Sequence, residues 1–139
     1  MAKQIELFLP AALKNAGVTI VPADTTDLKT LYTAAANDAV LKSLAVVSND
    51  TTAVNLRVFL TIGGTDYQIG TVNIPIASGT NGTANAVDVL NSTAMPFLPL
   101  DRNGKRILPL LAGTVLKVAA LATVTAAKTV TVTAIVEEY

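Results

Sequence analysis

Carboxylates are the groups in this chain that come nearest to a catalytic set. Asp24 and Asp27 share one turn-like cluster, and Asp50 and Asp66 lie in two others. Two carboxylates about 5–10 Å apart in a cleft can run general acid–base or glycosidase chemistry. Nothing in the spacing of these four brings them to one place. Asp in a turn is explained by hydrogen bonds from nearby backbone N–H groups to its side chain. The chain has no His and no Cys. That removes the commonest general base, the thiolate nucleophile, and every nitrogen or sulfur side-chain metal ligand of the usual kind. A metal would have oxygen ligands alone, such as a calcium site on Asp50 or Asp101 with backbone carbonyls. Asp101-Arg102-Asn103-Gly104 has the outline of a calcium-loop start, but it lacks the acidic spacing and the downstream bidentate Glu, so it reads as a β-turn. Gly63-Gly64 and Gly79-Thr80-Asn81-Gly82 match neither phosphate-loop spacing, and no helical pattern follows either of them. The expectation is a protein that is not an enzyme, with no cofactor and no metal.

Charge narrows the partners. Ten basic residues balance ten acidic ones, and the densest basic stretch is Arg102, Lys105 and Arg106 around Asn103-Gly104. No basic stripe is present to displace counterions, so direct nucleic-acid binding is not expected. Charged residues make up 14% of the chain, against about 25% in an average soluble domain. That deficit is what a surface partly covered by a partner would show. No apolar run approaches the ~20 residues of a membrane-spanning helix, and the short run from Ile5 to Leu9, with Pro10 behind it, is too broken for a signal peptide. No membrane partner is expected, and the default compartment is the cytoplasm during synthesis.

The elements that must carry these groups read as strands. Residues 4–9 alternate briefly. Residues 10–17, with Pro near the start and Gly just past the end, fit one or two helical turns. Together residues 1–23 form an N-terminal arm reaching a neighbouring subunit, or an edge strand with a turn. Strand patterns follow at residues 28–34, 39–48 and 53–62. In the last of these Leu56, Val58, Leu60 and Ile62 share one face, and Asn55, Arg57, Phe59 and Thr61 the other. Gly63-Gly64 then joins residues 53–62 to residues 67–74 as a hairpin. Residues 78–83 are a loop, and residues 86–91 are ambiguous between a strand and a helical turn. Asn103-Gly104 predicts a hairpin with arms at residues 97–100 and 106–110. Residues 115–124 and 129–136 predict a second, C-terminal hairpin, with Val130, Val132, Ala134 and Val136 facing inward. About eight strands at this spacing predict an all-β fold, an antiparallel β-sandwich or jelly roll, with residues 24–139 as a single domain.

The order of elements resembles a known group. It runs through Asp27-Leu28-Lys29-Thr30-Leu31-Tyr32-Thr33-Ala34 and Ser48-Asn49-Asp50-Thr51-Thr52-Ala53, then Gly63-Gly64-Thr65-Asp66-Tyr67-Gln68-Ile69-Gly70-Thr71-Val72 and Ile74-Pro75. It continues through Val87-Asp88-Val89-Leu90-Asn91 and Leu98-Pro99-Leu100-Asp101 to Leu110 and Ala112-Gly113-Thr114-Val115-Leu116-Lys117-Val118. This pattern, from about Asp24 to the end, resembles the small jelly-roll cement or decoration proteins of tailed-bacteriophage heads. The resemblance implies a non-enzymatic virion structural protein on the outer capsid surface, made in the host cytoplasm. Its partner would be the major capsid protein, whose capsomers it cements as a homo-oligomer, a dimer or trimer. The alternatives are a phage tail, connector or head-fibre protein, and a carbohydrate-binding β-sandwich. The partner-contact candidates are Ile5, Leu7, Phe8 and Leu9 in the N-terminal arm, Phe59 on the polar face of its strand, and Met95, Phe97 and Arg102 in the Pro-rich crossing.

Overall fold

A computed structural model describes residues 12–139. The candidates Ile5, Leu7, Phe8 and Leu9 lie outside the described residues. Among the described residues nine strands form two antiparallel sheets. One sheet holds β1 (Ala12–Ile20), β9 (Val130–Glu138), β3 (Ala39–Ser48) and β6 (Val87–Asp88) in that order, with β7 (Leu108–Leu110) paired to the start of β3. The other holds β2 (Lys29–Thr33), β8 (Val115–Ala120), β4 (Val54–Ile62) and β5 (Thr65–Ile74). The chain changes sheet at every connection except β4–β5 and β6–β7. That alternation, with β7 as an addition to an eight-strand frame, is a jelly roll.

The alternating patterns decide which side chains fill the space between the sheets. Val130, Val132, Ala134 and Val136 of β9 meet Leu41, Leu44 and Val46 of β3, and face Leu56, Val58, Leu116 and Val118 of the second sheet. Residues 89–98 close the side between the two sheets, with Val89, Leu90, Met95 and Leu98 buried. Met95 reaches Gly70 of β5, where an added Cβ would lie 3.2 Å from its terminal methyl.

Several expectations are corrected. The helical turns expected over residues 10–17 fall, from Ala12 onward, in β1, which pairs with β9 over all nine of its residues. Two isolated helical turns are marginal in water, and a full ladder with Ala16 and Val18 against the core outcompetes them. The expected C-terminal hairpin does not form. β8 and β9 lie in different sheets, and residues 121–129 cross between them. The Asn-Gly turn exists, with Gly104 at φ +79°, but its arms share one bridge, Leu100 to Arg106, before β7 leaves to join β3. Pro96, Pro99 and Pro109 remove the donors a longer ladder would need. Ile62 lies at a hairpin tip and is 52% exposed, although it was expected to share a buried face.

The β4–β5 hairpin forms as expected. Gly63 and Gly64 sit at φ +60° and +84° with Ile62 paired to Thr65, the two-residue turn whose twist matches the strands. A side chain at Gly64 meets no atom but must adopt a left-handed backbone. Gly64→Val is expected to lower stability by about 1–2 kcal/mol in urea unfolding. Gly17→Ala, in extended backbone with its nearest neighbour at 3.6 Å, is expected to leave stability unchanged or raise it slightly.

Candidate functional site

The carboxylates do not converge. Among the described residues no group of three or more His, Cys, Asp or Glu is placed to hold a metal ion. Asp24, Asp50, Asp66 and Asp101 are each committed to structure, and Asp27 is exposed. Asp24 accepts from the Val21 N–H at 2.8 Å and pairs with Lys29 at 2.9 Å, closing the β1–β2 corner. Asp66 takes the Thr61 hydroxyl and the Lys117 ammonium, the latter at 3.2 Å. Asp101 accepts from the N–H groups of Asn103 and Lys105 at 2.8 and 2.9 Å, and Lys42 stands 3.6 Å away. These contacts hold all three carboxyls below their ordinary value, chiefly through backbone or hydroxyl donors.

Asp50 is different because it is buried, at 1% exposure. Its Oδ1 accepts from Thr52 N–H at 2.9 Å and its Oδ2 from Thr125 N–H at 3.0 Å. Its own N–H donates to Ser48 Oγ at 3.1 Å, and its carbonyl accepts from Ala77 N–H at 3.3 Å. Burial by itself would raise this carboxyl, but the donors from Thr125, Thr52 and Thr51 outweigh it and hold it low. A cleft of about 240 Å³ beside it is lined by Thr52, Asn55, Leu121 and Thr125. With both oxygens occupied by backbone donors, the carboxylate ties loops together and is not poised to take a proton.

Half of the large exposed apolar side chains stand at one end of the sandwich, where β1 begins and β9 ends, while Ile76, Phe97, Leu100, Leu121 and Ile135 are exposed elsewhere. Leu13 (68%), Leu111 (65%) and Tyr139 (62%) are the most exposed of them. Ile62 and Tyr67 flank the β4–β5 turn at the same end, since Thr61 pairs with Val115 and Val115 with Thr33. Asp38 fixes this end: its Oδ1 accepts from Ala112 N–H at 2.8 Å and its carbonyl from Tyr139 N–H at 3.0 Å. Ala34 donates to the Thr114 carbonyl at 2.9 Å, which ties the β2–β3 and β7–β8 loops together. The intervening loop residues Ala35, Ala36, Ala112 and Gly113 are small, uncharged and exposed.

The sequence-derived contact residues scatter. Phe97 (58%) is exposed, as are Leu100 (57%) and Arg102 on the same loop. Arg106 holds that loop by donating to the carbonyls of Pro96 and Leu98 at 3.2 and 2.7 Å. Met95 is fully buried and packs in the core, so it presents no surface. Phe59 is 9% exposed and lies outside the inter-sheet core, under the Arg57 guanidinium, whose carbon is 5.2 Å from the ring centroid. Arg57 in turn donates to the Thr26 carbonyl at 2.9 Å. Leu13, Leu111, Ile62, Tyr67 and Tyr139 were not singled out from the sequence. The one local signal was the Leu110-Leu111 doublet, where alternation breaks and the second Leu must leave the core.

The strand order and this surface define a small jelly roll with an apolar end. No protein-family model and no curated protein sequence matches the chain. A chain of the solved structure described as the cyanophage Pam1 capsid asymmetric unit is similar over 94% of this chain and 86% of its own length. Its TM-score is 0.47 and its sequence identity 13%.

Two kinds of ionisable group, the carboxylates and a phenol, yield tests. Asp50→Ala leaves the Thr52 and Thr125 N–H groups without their acceptor and is expected to cost about 2–4 kcal/mol in denaturant unfolding. Asp24, Asp50, Asp66 and Asp101 all have lowered values in the fold, so their contribution is present above the ordinary value of 3.8 and lost as pH falls through the folded-state values. Thermal stability is therefore expected to hold at neutral pH and to fall in acid. At the other extreme, the Tyr32 hydroxyl donates to the Glu138 carboxylate and ties the two sheets. Partial burial and that anion push its phenol up to about 12, from 10. Its contribution is present below pH 10 and lost as pH rises towards 12, and Tyr32→Phe is expected to flatten this alkaline limb of the melting curve.

Proposed function

We propose that this protein is a virion structural protein that binds the outside of an assembled phage capsid and cements neighbouring capsomers. The observation that carries this reading is the apolar end: Leu13, Ile62 and Tyr67 stand exposed at strand ends, and Leu111 and Tyr139 stand exposed beside the backbone groups that Asp38 ties. An apolar surface held on fixed backbone suits contact with another protein. The element order from Asp24 onward, which resembles capsid cement proteins, supports the same reading, and so does the low charge of the chain. The commitment of Asp24, Asp50, Asp66 and Asp101 to backbone and lysine contacts gives no support to a catalytic alternative. A contact repeated over a shell adds up, because each bound copy favours the assembled state by mass action.

Quantitative mass spectrometry of purified virions tests the role directly. Copies comparable to the shell protein are expected for a cement, far fewer would move the protein to a tail, connector or head fibre, and absence would overturn the virion reading. The surface is tested by co-sedimentation with assembled shells. Leu111→Asp is expected to weaken attachment about tenfold or more at unchanged melting temperature. Asn81→Asp, in the loop at the opposite end, is expected to bind as the parent does.

A further inference from the structure

In an antiparallel ladder, successive residues direct their N–H and C=O groups to alternate sides. Asn49 N–H donates to the Thr129 carbonyl at 3.2 Å, and Thr129 N–H donates to Asn49 Oδ1 at 2.8 Å, so Thr129 faces the β3 side. Counting along β9, Thr131, Thr133, Ile135 and Glu137 also face β3. Val130, Val132, Ala134, Val136 and Glu138 therefore face β1, where their partners are Ile20, Val18, Ala16, Lys14 and Ala12. The peptide groups of Leu13, Asn15, Gly17 and Thr19 then point away from β9, to the edge of the sheet. The Lys29 ammonium agrees with this parity: it reaches the Thr19 carbonyl at 2.7 Å from the other sheet. Among the described residues β1 pairs with β9 alone.

Apart from the Lys29 ammonium at the Thr19 carbonyl, this edge lacks the devices that keep sheet edges apart. It runs nine residues without Pro or a bulge and carries one charge, Lys14. It is also complementary to itself. When two copies run antiparallel about Ala16, Leu13 stands opposite Thr19, Asn15 opposite Gly17, and Ala16 opposite its own copy. Apart from the Thr19 carbonyls, which the Lys29 ammonium already holds, every outward peptide group then meets another outward group, with a small side chain on the axis. Lys14 falls opposite Val18, so the two ammonium groups do not oppose each other. Leu13, 68% exposed in the single chain, is laid beside Thr19 of the second copy. We propose that β1 is the contact strand of a symmetric dimer, in which two copies pair their β1 strands antiparallel about Ala16 and join their five-stranded sheets into one. The occupant is a second copy because the donors, acceptors and side-chain sizes match when the strand is reversed upon itself.

The dimer does not depend on where the protein sits in a virion, so it is tested on the isolated full-length chain. Sedimentation equilibrium is expected to give twice the 14.3 kDa chain mass. Asn15→Pro removes one outward N–H and leaves every β1–β9 bond in place. It is expected to sediment as a single chain with its β-sheet circular dichroism retained. A parent protein at single-chain mass across the accessible concentrations, or an Asn15→Pro variant that stays folded and dimeric, would overturn the proposal. If the variant does not fold, amide hydrogen exchange of the parent decides. Slow exchange at Leu13, Asn15, Gly17 and Thr19, matching Lys14 and Ala16, in a protein of dimer mass supports the paired edge. Fast exchange at those four positions, or slow exchange in a single chain, overturns it.

Discussion

The carboxylate of Asp50 is buried because the strand order leaves it three loops to satisfy. A jelly roll sends most connections from one sheet to the other, and each crossing strips peptide groups of their ladder partners. At the end where β3 finishes, the β3–β4 turn, the β5–β6 loop and the β8–β9 crossover all meet. Asp50 takes Thr52 and Thr125 on its side chain and Ala77 on its carbonyl. Ser48 and Ser78 are buried next to it, with Ser48 N–H donating to the Ser78 carbonyl at 2.9 Å. A neutral acceptor there would offer fewer lone pairs for the same donors. The charge is tolerated because backbone N–H groups solvate it in place of water.

Asp38 plays the corresponding part at the other end of the same strand, joining Ala112 and Tyr139 across three chain segments. β3 is thus bracketed by two aspartates, each preceded by an Asn. Asn49 also bonds across to Thr129, so the doublet at that end clamps β9 as well. The placement has a consequence for the surface. At the Asp38 end the loops between the ties are Ala and Gly, and the large side chains that remain, Leu13, Leu111 and Tyr139, have no loop of their own to fold under.

The strands were legible wherever apolar and polar residues alternate with a clear turn between them. β3, β4, β5 and β9 follow the pattern closely, and the Gly63-Gly64 turn announced its geometry through the need for positive φ. What alternation does not encode is which sheet a strand joins. Residues 115–124 and 129–136 looked like neighbours because they are close in sequence. Yet β8 ends at Ala120, and the crossover is held by Asp50, more than seventy residues upstream. Residues 10–17 misled for a local reason, since Pro and Gly at helix-like positions outweighed a weak period of two that only β9 makes decisive. The contact candidates were legible in part. Phe97 and Arg102 stand on the surface, whereas Met95, beside two prolines, is drawn into the core by the gap over Gly70. The apolar end was not legible, because it is assembled from the termini of strands distant in sequence.

Charge in this molecule is directed largely inward. Lys29 and Asp24 lock the β1–β2 corner, Lys117 and Asp66 brace the outer side of the second sheet, and Lys42 and Asp101 hold the Pro-rich loop near β3. Arg57 covers Phe59, and Arg106 gathers the carbonyls of Pro96 and Leu98. Groups engaged in this way contribute little to a long-range field, and the formal net charge is zero. Association through such a surface gains little from electrostatic steering. Its strength has to come from apolar contact and from the number of contacts made at once. Under the proposed capsid role, a single copy would bind weakly and an array of copies firmly. That fits a sandwich whose ends are pinned by Asp38 and Asp50 and which leaves Leu13, Leu111 and Tyr139 exposed at the Asp38 end.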